Sequence, residues 1–431
     1  MKIRLVLGVA LAAALGGALP ASAAMSFADR LPPAQAVARF HDAHGASLWL
    51  RSPPAVDALL TALDAAMADG FGRGPELSVA IRAALARAQA GSPAARSEAE
   101  RLMSSAFVLY AQALRWPGTA RIVYADPALS PRVPTPEALL TSAARAPDFA
   151  AHVRDTVAVN PLYAQLRAAA AAEIRLLGEP RRALRASLDR LRVLPARGRY
   201  VLVDLASQQL MMMEDGREAD RMKVVVGKPG MATPLMAGTL HQITFNPYWN
   251  VPVDLARNNI APNVLKLGAS WLSGRGYEVL SGWDDGATVL DPASVDWQAV
   301  ADGRVEARIR QKPGAGNMMG AMKFEFPNSR GIYLHDTPDR ALFGKPERTF
   351  SSGCVRLEDA ARLGQWLLGR APVPTSDRPE LEVALEEGVP VYLTYLSVRA
   401  EPGGKLVSTR DVYGLDGGLG GEGGARVAAA R

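Results

Sequence analysis

The chain has 431 residues and a formal net charge of +6, with acidic and basic side chains mixed along its length. At 48% hydrophobic residues it is long enough and apolar enough for two domains. No Lys/Arg block is interleaved with aromatics, which argues against nucleic acid as a partner, and a single cysteine excludes an internal disulfide.

In chain order, the first element is an export signal. Lys2 and Arg4 open the chain, residues 5–19 are apolar, and Ala21, Ser22 and Ala23 offer a small-residue cleavage site. The run is short for a membrane span. Residues 1–23 are therefore expected to be a secretory signal peptide that sends the protein to the periplasm. Residues 24–196 read as helical, with apolar spacing of 3.6 over 56–63, 77–88, 99–114, 139–144, 162–177 and 180–192. Pro and Gly punctuate these runs. At Tyr200 the pattern changes to short strands at 200–204, 209–213, 222–227, 240–245 and 391–395, with a hairpin turn at 214–217. The expected fold is thus α+β and multidomain: an all-α domain, then a mainly β, sandwich-like domain over 197–400. Residues 246–307 read as a long, weakly structured insertion carrying four tryptophans, Trp249, Trp271, Trp283 and Trp297, suited to a lid. Residues 357–368 read as an amphipathic helix, and 401–431 as a flexible Gly- and Ala-rich tail.

Chemistry concentrates in one segment. The only cysteine, Cys354, follows His335 by 19 residues and sits in Ser351-Ser352-Gly353-Cys354-Val355-Arg356. An exported chain that keeps one thiol either buries it or uses it. A thiol needs a base to attack at neutral pH, and an imidazole can take the proton and return it to a leaving amine. Gly353 permits a tight turn that brings backbone N–H groups together as an oxyanion site. A helix starting after Cys354 is expected to favour its negative charge. Arg356 is placed to bind a carboxylate. Asp336 follows His335 on an expected strand, so it points to the opposite face, and a backbone carbonyl is the expected orienter of the imidazole.

This segment resembles the signature of the L,D-transpeptidases, the YkuD domain. Residues 245–252, 310–314, 323–328 and 333–338 resemble the YcbB-type branch of that family, as do the helical scaffold and the insertion as a capping loop. Many members of the family carry His where this chain has Ser352. The resemblance implies that Cys354 is the nucleophile and His335 the base, with Gly353 forming the turn. It implies that Arg356, Ser352, Tyr333, Trp249 and Asn250 lie around the substrate. It implies peptidoglycan stem peptides as substrates, carbapenem-type inhibitors, other cell wall enzymes as partners, and no metal or cofactor. Cys354 is expected to acylate at diaminopimelate with loss of D-Ala, and an amine to resolve the thioester into a cross-link. Hydrolysis by the same site, an L,D-carboxypeptidase, and a non-catalytic wall-binding scaffold are the alternatives.

Overall fold

The computed structural model describes residues 33–417, except 45, 46, 90, 117–119, 179 and 285. The expected signal segment, 1–23, lies outside the described residues.

The first half is built from α1 (Ala34–His44), α2 (Pro53–Asp64), α3 (Gly74–Gln89), α4 (Pro93–Leu114), α5 (Pro136–Arg145), α6 (Phe149–Ala158), α7 (Pro161–Ala169), α8 (Ala171–Leu177) and α9 (Arg182–Leu191). Proline sets several starts: α2, α4, α5 and α7 carry it in the first turn, where no N–H is needed. Asn160 caps α7 by accepting from the Tyr163 amide at 2.9 Å. Its Nδ2 donates to the carbonyls of Leu191 (2.7 Å) and Leu194 (3.2 Å), so one buried side chain ties the start of α7 to the end of α9. Trp49, Leu59, Leu63, Met103 and Phe107 fill the helical core.

That core does not stop at the helices. The helical half contributes a strand, β1 (Val123–Tyr124), which lies parallel to the start of β5 (Met236–Phe245). The strands β2 (Arg199–Asp204), β3 (Gln209–Glu214) and β4 (Arg217–Gly227) form a meander whose 214–217 turn has Asp215 at φ 47° and Gly216 at φ 76°. Residues 200–203 are apolar without alternation because both faces of β2 are covered. Val201 and Val203 face the core of the sheet, whereas Tyr200 and Leu202 join the helical core with Met213.

Between β5 and the next strand of the main sheet lies the insertion, and it is not weakly structured. The strands β6 (Trp249–Asn250), β7 (Tyr277–Leu280), β8 (Val289–Leu290) and β9 (Arg308–Gln311) form a separate antiparallel sheet in the order β6-β9-β7-β8. Ile260, Val264, Leu272, Val279, Trp297 and Ile309 give it a core of its own. Strands of two to four residues are too short to show a period of two, so the sequence reads as loop where the chain folds. Of the tryptophans, Trp297 is buried in this core, Trp271 stacks on Tyr277 at 5.8 Å, and Trp283 is exposed.

The main sheet resumes with β10 (Met322–Glu325), β11 (Leu334–His335), β12 (Thr349–Ser351), β13 (Val355–Leu357) and β14 (Leu381–Thr394). Its order is β5-β10-β11-β13-β4-β3-β2-β14, and β14 pairs with β5 again, so the sheet closes on itself. Closure leaves no long edge exposed. A helix, α10 (Ala360–Leu368), packs Leu363 and Leu367 against the sheet's core.

The tail expectation fails for its first part. Residues 401–417 are ordered: β15 (Val398–Ala400) pairs with β16 (Leu406–Ser408), Tyr413 stacks on Tyr395 at 5.5 Å, and Arg190 donates to the Leu415 carbonyl. Glycine content suggested disorder, but Tyr413 and Leu415 are apolar anchors. Residues 418–431 lie outside the described residues.

Candidate active site

The site is set by two short parallel strands. β11 and β13 pair with Leu334 beside Val355 and His335 beside Arg356. Strand alternation then sorts the side chains. Leu334, Val355 and Leu357 are fully buried in the core. Cys354, Arg356 and His335 are left on the other face, along one cleft.

The turn before the cysteine depends on glycine. Gly353 has φ +124°, a region closed to other residues, and a Cβ there would meet Ile332 Cδ1 at 3.2 Å. Ser351 Oγ donates to the Cys354 carbonyl at 2.5 Å and accepts from the Gly353 amide at 3.2 Å. Cys354 leads directly into a strand, not into the expected helix. The helix begins only at Ala360, capped by the Asp359 carboxylate. The dipole of that helix therefore does not start at the sulfur. The apolar residues 355 and 357 read equally as the start of a helix, but they alternate into the core, and only sheet pairing decides between the two.

His335 is 4% exposed. Its Nδ1 donates to the Asp336 carbonyl at 2.5 Å, which leaves Nε2 as an unprotonated acceptor. The Asp336 carboxylate takes no part in this. It accepts from Arg340 (2.5 Å) and from the Ala321 amide (2.8 Å). Burial, and then the adjacent Arg356 guanidinium, push the imidazole from 6.5 down to about 4. Burial also pushes the Cys354 thiol up, against weaker opposing pulls from the Tyr333 amide and Arg356. The thiol is half-buried and lies 3.6 Å from the Gly331 carbonyl. Both shifts favour a neutral thiol and a neutral imidazole in the one cleft, not a resting thiolate–imidazolium pair.

The cleft has a volume of about 890 Å³ and lies between the sheet and the inserted cap. It gathers Cys354, His335, Arg356, Ser352 and Trp249. Two residues implied by resemblance are not among its lining. Asn250 is exposed and pairs with Arg310 in the cap sheet, and Tyr333 carries its ring 5.8 Å from Lys323 Nζ. Gly353 is buried behind the cysteine. Sequence reasoning missed Thr233, which is 2% exposed and donates to the Gly353 carbonyl at 2.7 Å. It stands 120 residues before its partner, and no local pattern could reveal that link. A second, more open hollow of about 850 Å³ lies between α5 and α6, with Glu137, Ser142, Arg145 and His152 on its walls.

The lowered imidazole sets a pH dependence. With neutral His335 as the expected base, acylation should persist as pH falls below 6.5 and fade only through about 4. Stability moves in the same sense. An unfolded chain binds the proton near 6.5, so the fold loses stability as pH drops from there toward about 4. Acylation rate against pH is the check, and an acid limb at 6.5 would contradict it.

Residues 198–390 match the YkuD family, the L,D-transpeptidase catalytic domain, and residues 35–169 match a Scaffold domain. The curated protein "Putative L,D-transpeptidase" of Haemophilus influenzae is 33% identical over 235 residues, 53% of this chain and 47% of that protein. The chain thus spans about half the length of that curated relative. Among solved structures, an L,D-transpeptidase from Mycobacterium smegmatis is 14% identical with a TM-score of 0.23, over 46% of this chain and 59% of that one. L,D-transpeptidase 3 from Mycobacterium tuberculosis in complex with a faropenem-derived adduct is also 14% identical, with a TM-score of 0.21, over 46% of this chain and 60% of that one. The chain therefore carries a YkuD L,D-transpeptidase catalytic domain behind a Scaffold domain.

Proposed function

We propose that the protein is an exported L,D-transpeptidase that cross-links peptidoglycan stem peptides in the periplasm, with Cys354 as nucleophile and His335 as general base. The observation that carries this reading is the imidazole. It is held as the Nδ1–H tautomer by the Asp336 carbonyl, kept neutral by burial and Arg356, and placed with the thiol along one cleft.

In the acylation step, Cys354 Sγ bonds to the carbonyl carbon on the L-centre of diaminopimelate. Nε2 of His335 takes the thiol proton, and the carbonyl electron pair moves to oxygen. Collapse breaks the C–N bond, and the same proton goes to the departing amine of D-Ala. An acceptor amine then attacks the thioester, gives its proton to His335 and releases the thiol. A base that is neutral at rest suits both steps, because it must accept a proton each time. Arg356, half-buried with no partner for its Nε among the described residues, supplies charge for a substrate carboxylate. The cap closes the other side of the cleft with Trp249.

The same thioester is open to water, so transfer and hydrolysis differ only in the second step. The purified protein incubated with a stem tetrapeptide and weighed by product separates them. Cross-linked dimers with release of D-Ala support the transferase. Tripeptide alone means an L,D-carboxypeptidase. No turnover would point to a wall-binding scaffold.

A further inference from the structure

The amide of Cys354 is aimed by a residue that never touches the substrate cleft. Thr233 Oγ1 accepts from the Gly227 amide at 2.9 Å, so its single proton is committed to the Gly353 carbonyl at 2.7 Å. Neither Thr233 nor Gly353 lines the cleft, whereas Cys354 does. The chain has no cis peptide bond among the described residues. In a planar trans peptide the C=O and the following N–H point in opposite directions. Fixing the Gly353 carbonyl on Thr233, behind the site, therefore turns the Cys354 N–H the other way. That N–H makes no hydrogen bond among the described residues. Glycine at φ +124° would otherwise let this peptide rotate cheaply. The neighbouring peptides are held separately, since Ser351 Oγ occupies both the Gly353 amide and the Cys354 carbonyl.

We propose that Thr233 is a positioning residue for the oxyanion site: by latching the Gly353 carbonyl it directs the Cys354 N–H at the oxygen of the carbonyl under attack. This rests on the acyl-transfer reading of the site. The latch itself is braced, because Gly227 also accepts from Tyr413 Oη and its tight loop brings the Thr233 amide within 2.6 Å of where a Cβ on Gly227 would stand.

The test compares two reactions of one thiol in the full chain. Acylation by a carbapenem or a stem tetrapeptide passes through an oxyanion. Alkylation by iodoacetamide displaces iodide at carbon and needs no such site. Thr233→Val keeps the shape and removes the hydroxyl. It is expected to slow acylation about a hundredfold, in kcat more than in KM, because losing an oxyanion donor costs about that much. Alkylation should stay at the parental rate, and Thr233→Ser should restore acylation. If Thr233→Val does not fold, Thr233→Ala gives the same ratio. Acylation at the parental rate would overturn the assignment. So would an equal fall in both reactions without rescue by serine, which marks a merely structural residue. A parent protein that alkylates but never acylates would instead overturn the transferase reading, and this assignment with it.

Discussion

Replacing Cys354 with alanine is expected to abolish acyl transfer, and replacing His335 with alanine to slow acylation about a hundred- to ten-thousand-fold. The two effects differ in kind. Cys354 holds the only thiol in the chain, so no other group of that reactivity can take its place. As the proposed base His335 works through proton transfer, and without it the thiol must ionise unaided. Burial pushes the Cys354 thiol pKa up and so opposes that ionisation, which places the expected loss toward the larger end of the range. Rates of carbapenem adduct formation for the parent and both variants check this. A His335→Ala protein acylating at the parental rate would remove the imidazole from the mechanism.

A fragment of residues 197–417 is expected to be insoluble or to unfold far below the full chain. The helical half holds no thiol, but it covers one face of the sheet. Tyr200, Leu202, Met213, Tyr392, Leu396 and Val398 all belong to the helical core. Uncovering them costs on the order of 10 kcal/mol, taking about 1.5–3 kcal/mol for each large side chain and treating that as an upper estimate. A domain's whole stability is about 5–15 kcal/mol. Polar ties would go as well: Arg190 donates to the Tyr395 carbonyl at 2.7 Å, and Ser187 Oγ accepts from the Val398 amide at 3.0 Å. Soluble yield and thermal unfolding decide this. A fragment as stable as the full chain would show that the shared core is dispensable. The expectation that the helices support the catalytic half thus takes a physical form, as a core common to both.

The residues of the candidate site were more legible in the sequence than the strand pairings were. His335, Gly353 and Cys354 lie within 19 residues of one another, so local rules reach them: a strand end, a glycine turn, a lone thiol. Strand alternation also gave the orienting carbonyl correctly, since Asp336 meets the imidazole through its backbone and sends its carboxylate to Arg340. Apolar spacing marked helices over 99–114, 139–144 and 162–177, although the helices there begin earlier, at Pro93, Pro136 and Pro161. The readings that failed depend on pairing between distant segments. β13 is a strand because Val355 sits beside Leu334 and Arg356 beside Val225, and neither partner is near in sequence. β1 exists because β5 accepts it. The cap's strands are too short to be periodic, and Tyr413 anchors a segment whose glycines suggested disorder. Thr233 is the extreme case, a hydroxyl joined to the Cys354 turn only by the fold.

The central claim, that Cys354 carries the acyl group, is tested most directly by weighing the intermediate. The full chain is mixed with stem tetrapeptide, quenched in acid before resolution and digested, and the adduct is mapped. The expected product is a tripeptidyl thioester on the peptide containing Cys354, with D-Ala released in equal amount and no adduct in Cys354→Ala. An acyl group on any other residue, or one that persists in the alanine variant, would contradict it.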